Sequence, residues 1–127
     1  MSRPRKILLV YPDPAASYMI TMILRLNHFD VAPYNDPDLA LSDFERGLYD
    51  LILLDLDMKG MNGFDLYKSM RQIDDKVHVC FMTDFRARHF DEFKTSFPDF
   101  PSTSLTEKPV GTDDLLEILR LNVVDNK

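Results

Sequence analysis

Short apolar runs alternate along the chain with longer segments in which apolar residues recur every three or four positions. Short runs bounded by turn signals predict buried strands, and the longer period predicts helices packed against them. Lys6 to Val10 predicts the first strand. A helix follows, with Asp13 as N-cap, Pro14 at its first position, and Ala16, Met19, Ile20, Ile23 and Leu24 inward. Asp30 to Tyr34 is a weaker strand. Asp36-Pro37 opens a second helix that turns Ala40, Phe44 and Leu48 inward, with Gly47 near its end. Leu51 to Asp55 is the most apolar strand and therefore central. Phe64 to Ile73 predicts the third helix and His78 to Thr83 the fourth strand. Phe90, Phe93 and Phe97 mark a fourth helix that stops by Pro98. A short last strand lies near Thr103 to Thr106, and Thr112-Asp113-Asp114 caps a final helix carrying Leu115, Ile118 and Leu119. Strict alternation of strand and helix predicts an α/β protein with a parallel sheet covered on both faces.

The length of 127 residues allows one domain, spanning 1–127, with a basic extension at 1–5 and a tail at 123–127. Hydrophobic residues make up 45% and charged residues 28%, an ordinary globular composition. A net charge of −6 attracts neither nucleic acid nor anionic lipid, so neither is expected as a partner. The single cysteine, Cys80, sits in an apolar run and reads as core filler in a reducing compartment. No apolar run approaches the roughly 18 residues of a membrane helix, and no signal peptide is visible. A soluble, cytoplasmic domain is expected. With no output domain in the sequence, it is expected to stand alone and act through protein contacts.

The stretch "DLILLDLDMKGMNGF" (50–64) runs an apolar strand into acid and then into a glycine-containing turn. In open α/β sheets, ligands bind outside the carboxyl ends of the strands. Three predicted strand ends carry candidate chemistry: Asp55, Thr83 and Lys108. An aspartate can attack phosphorus to form an acyl phosphate, a transfer that depends on positioning, a cation and donors for the developing charge. Thr83 can donate a hydroxyl hydrogen bond, Lys108 can supply a point charge, and Gly60 and Gly63 let the chain turn tightly after Asp55. Taken singly, each is an ordinary surface or capping residue. Their order and placement together point to a site.

These residues resemble the receiver domain of two-component response regulators. "LILLDLDMKGMNG" is similar to that family's apolar strand, phosphoacceptor aspartate and following loop; "FMTD" is similar to its strand ending in Thr or Ser, and "TEKPV" to its Lys-Pro strand end. The resemblance implies a single flavodoxin-like, doubly wound domain: five parallel strands in the order 2-1-3-4-5, with five helices. It implies Asp55 as phosphoacceptor, Thr83 as switch hydroxyl, Lys108 as phosphate contact, and a signalling role rather than an enzymatic one. Its implied partners are a histidine kinase or phosphotransfer protein, and a downstream protein on the face of the fourth helix, last strand and last helix. It also implies Mg²⁺, ligated by Asp55 and by the backbone carbonyl of Asp57.

The sequence departs from the family in one important place. The acidic pair that should end the first strand is replaced by Tyr11 and Pro12, neither of which can ligate Mg²⁺ as a carboxylate does. A weak or absent Mg²⁺ site is therefore expected, unless Asp13, Asp57 or Asp84 compensates. Leu105 stands where the family carries an aromatic residue, and "SFPDFPSTS" replaces the usual Gly-Ala before the last strand. Two readings follow. One is a receiver phosphorylated at Asp55; the other is a phosphorylation-independent pseudo-receiver that binds proteins. A haloacid-dehalogenase-like phosphatase is disfavoured, because that group carries its Asp-x-Asp motif on the first strand. A flavin carrier is disfavoured because "YPDPAA" offers no phosphate cradle.

Overall fold

Strand and helix alternate as the pattern predicts in the computed structural model, which describes residues 5–56, 58, 62–83, 95, 105–107 and 112–119. The elements are β1 (Lys6–Val10), α1 (Pro14–Leu26), β2 (Asp30–Tyr34), α2 (Pro37–Asp43), β3 (Leu51–Asp55), α3 (Gly63–Ile73), β4 (His78–Thr83), β5 (Leu105–Glu107) and α4 (Thr112–Leu119). All strands are parallel, in the order β2-β1-β3-β4-β5. This is the flavodoxin-like order, with the most apolar strand at its centre. Phe90, Phe93 and Phe97, which mark the predicted fourth helix, lie outside the described residues.

Successive strand residues point to opposite faces, which divides the core in two. Leu8, Val10, Ile52, Leu54, Val79 and Phe81 face α2 and α3, where Ala40, Phe64, Leu66, Tyr67 and Met70 meet them. Ile7, Leu9, Leu51, Leu53, Cys80 and Met82 face the other way, against Ile20 and Leu24 of α1 and Leu115 of α4. Both faces of β3 are therefore dry, and all five of its residues are buried.

The caps are as the sequence suggests. Asp13 Oδ1 accepts from the Ala15 N–H at 3.1 Å, and Asp36 Oδ1 from the Asp38 N–H at 2.9 Å, each followed by proline at the first helical position. Three expectations need correction. Met19 is 52% exposed, while Ser17 and Thr21 share the buried face of α1 with Ile20 and Leu24. The helix is apolar nearly all round, so hydrophobicity alone could not set its phase, and small polar residues fill the seam. α2 ends at Asp43 rather than near Leu48; Phe44 is extended, and it stacks on Tyr49 with ring centroids 5.7 Å apart. The last strand is Leu105–Glu107, shifted toward Lys108 from the predicted Thr103 to Thr106.

Candidate functional site

The parallel register brings the carboxyl ends of the strands to one edge of the sheet. Asp55 closes β3 opposite Met82, and Thr83, one residue further along β4, pairs with Glu107, the last residue of β5. Asp55 is 3% exposed, a buried acid at the end of the central strand. Lys108 follows Glu107 directly in sequence but lies outside the described residues, as do Asp57, Gly60, Asp84 and Pro109. Beyond β3 the chain is held in place by the Leu56 N–H, which donates to the Met82 carbonyl at 2.8 Å.

The end of β1 is closed by hydrogen bonds and apolar contact. The Tyr11 N–H donates to the Tyr34 carbonyl at 2.9 Å, and the Tyr11 carbonyl accepts from Asn35 Nδ2 at 2.8 Å. Tyr11 also packs against the apolar cluster under α1. Pro12 is exposed and offers no side-chain donor. Asp13 is exposed, and its carboxylate is engaged in capping α1. Nearby, the Tyr34 hydroxyl donates to Asp43 Oδ2 at 2.9 Å; that bond, burial and the carboxylate charge push the Tyr34 phenol up to about 12.

Mg²⁺ prefers octahedral oxygen ligands that include direct carboxylates, and neither Tyr11 nor Pro12 carries one. Asp55 closes β3 and Asp13, just beyond β1, caps α1; no cluster of three or more His, Cys, Asp or Glu side chains among the described residues could hold a metal. No helix among them is long and apolar enough to cross a membrane.

Two local features were not legible as site structure. Asn35 ties the β1 and β2 ends together; an amide side chain directly after a strand was its only signal. Asn62 caps α3, its Oδ1 accepting from the Phe64 N–H at 2.7 Å. Gly63, a turn residue by its sequence context, opens α3. Gly47, by contrast, is the glycine with positive φ among the described residues, at +77°. The reason for a glycine at 63 is close approach to the end of β3.

Residues 7–120 match the response regulator receiver domain. The chain belongs to that family, a family of signalling domains. It is 38% identical to the DNA-binding response regulator MtrA of Mycolicibacterium smegmatis over 79 residues, which are 62% of this chain and 34% of that protein. It is 34% identical to the sensory transduction protein RegX3 of the same species over 114 residues, 90% of this chain and 48% of that one. The chain thus spans half or less of these relatives. Among solved structures, a CheY-like receiver domain protein from Methanospirillum hungatei superposes with a TM-score of 0.80 at 20% identity, covering 96% of this chain and 95% of its own. Chemotaxis protein CheY4 of Vibrio cholerae gives 0.79 at 19%, covering 94% and 99%. Both share the fold.

Proposed function

We propose that this chain is a phosphorelay receiver whose phosphoacceptor is Asp55 and whose divalent-metal site is weakened at Tyr11 and Pro12. The observation that carries the reading is the buried Asp55 carboxylate at the carboxyl end of the central strand of a receiver-family sheet. In the proposed step an Asp55 oxygen attacks the phosphorus of a phosphohistidine on a histidine kinase or phosphotransfer protein. The O–P bond forms as the P–N bond breaks, and the imidazole leaves with the electron pair and takes up a proton. The Thr83 hydroxyl donates to a phosphoryl oxygen, and the Lys108 ammonium offsets its charge. A downstream protein reads the result on the face formed by the last strand and its flanking helices. The charge of −6 argues against direct nucleic-acid contact by this module.

A specific observation favours the second reading, a phosphorylation-independent interaction module: the closed β1 end, where Tyr11 is bonded through both backbone groups. Exposure to acetyl phosphate or phosphoramidate, followed by intact mass and compared with Asp55→Asn, separates the two. Slow modification that disappears in Asp55→Asn supports the receiver. No Asp55-dependent modification at any Mg²⁺ concentration leaves the interaction module.

A further inference from the structure

Chain leaving β3 returns at Asn62 and starts α3 against the very backbone it left. A Cβ placed on Gly63 would lie 2.8 Å from the Asp55 carbonyl oxygen and 2.8 Å from Leu56 Cα, with Leu56 Cδ1 at 3.3 Å. The first two are main-chain atoms and cannot swing aside. Only a shift of α3 or of the strand end would make room. The Gly63 N–H approaches the Leu56 carbonyl at 3.4 Å, and the Leu56 N–H is bound to Met82 on the opposite side. α3 is itself fixed, by the Asn62 cap and by Phe64, whose ring meets Phe81 edge-on at 5.2 Å. The Asp55–Leu56 backbone is thus held between β4 and the first turn of α3.

We propose that Gly63 is a positioning residue for Asp55: the missing side chain lets α3 seat on the Asp55–Leu56 backbone and fixes where the Asp55 carboxylate is presented. The proposal rests on the reading of Asp55 as the reactive group. Reacting atoms must be held closely, and a misplacement of about 1 Å costs on the order of a hundredfold in rate. Gly63→Ala should therefore slow modification of Asp55 by acetyl phosphate about tenfold or more per folded molecule.

The comparison variant is Gly47→Ala. It too is conformationally unfavourable, but a Cβ there meets nothing within 4 Å, and it precedes the amino end of β3. It should leave the rate per folded molecule unchanged. A second readout does not depend on phosphorylation: the amide hydrogen-exchange rate of Leu56 relative to Leu54. Gly63→Ala should raise this ratio, whereas a loss of global stability alone speeds both amides together. An unchanged ratio overturns the proposal, as does an unchanged rate of Asp55 modification. If the parent is never modified, the reading of Asp55 as phosphoacceptor falls, and the exchange ratio alone decides whether Gly63 sets the strand end. Should Gly63→Ala fail to fold, Asn62→Ala, which withdraws the cap and adds no atom, must raise the ratio. No rise there overturns the seat.

Discussion

Asp74, at the end of α3, shows what one buried carboxylate can hold together. Its Oδ2 accepts from the Gly47 N–H at 2.9 Å and its Oδ1 from the Lys76 N–H at 3.0 Å, which joins two connections at the amino end of the sheet. Burial alone would raise this carboxyl. The two backbone donors, with the nearby Arg46 and Arg71 cations, outweigh it and hold Asp74 below its ordinary 3.8. A lowered folded value means that the stabilisation is present above the unfolded value and is lost as pH falls through the folded one. Asp74→Ala leaves two donors without their acceptor and should cost about 1–3 kcal/mol near neutral pH. In urea unfolding, the gap between parent and variant should narrow as pH drops below 3.8. A gap that is constant across that range would contradict the ionic origin of the effect.

Among the elements, β2 is the outer strand next to β1, and its sequence protects the open edge. The Asp30 N–H donates to Arg5 and the Tyr34 carbonyl accepts from Tyr11, so the even-numbered residues of β2 turn their backbone groups toward β1. By the same alternation the backbone groups of Val31 and Pro33 point away from β1, while the Val31 side chain is buried in the core. Pro33 has no N–H to offer there, and the outward carbonyl of Val31 is met by the Arg25 guanidinium at 3.3 Å. Combining Pro33→Val with Arg25→Ala should restore a free donor and acceptor and promote self-association, read as a concentration-dependent rise in sedimentation coefficient relative to the parent. The strands were legible because short apolar runs mark them, and their order followed from the resemblance to the receiver family. The phase of α1 was not, because Tyr18, Met19, Met22 and Leu26 place large apolar groups on its exposed side. The end of α2 was not legible either: Phe44 continues the helical spacing of Ala40 in sequence but is held in extended chain by its stack on Tyr49.

For the molecule as a whole, the candidate site consists of strand ends that only the completed sheet brings together, and its proposed chemistry turns on the end of β1. That Asp55 and Thr83 close their strands was legible, because a strand's last residue is marked by where its apolar run stops. What the sequence could not show is that Tyr11 and Pro12 differ in kind. Tyr11 is bonded to Tyr34 and Asn35 and packed on the core, so Tyr11→Asp removes apolar contact and places a charge against a dry cluster. Pro12 is exposed, and its side chain can be exchanged without disturbing packing. Pro12→Asp alone should therefore fold like the parent and add a carboxylate to the end of β1, beside the strand that ends in Asp55. The parent should bind Mg²⁺ only at millimolar concentration or undetectably in titration calorimetry, and Pro12→Asp should bind it measurably more tightly and accelerate Asp55 modification. Adding Asp55→Asn to Pro12→Asp should abolish the gain, because the cation would then lose a charged ligand. Micromolar Mg²⁺ binding by the unaltered chain would mean that other groups hold the metal, and the weakened-site reading would give way to a rebuilt one.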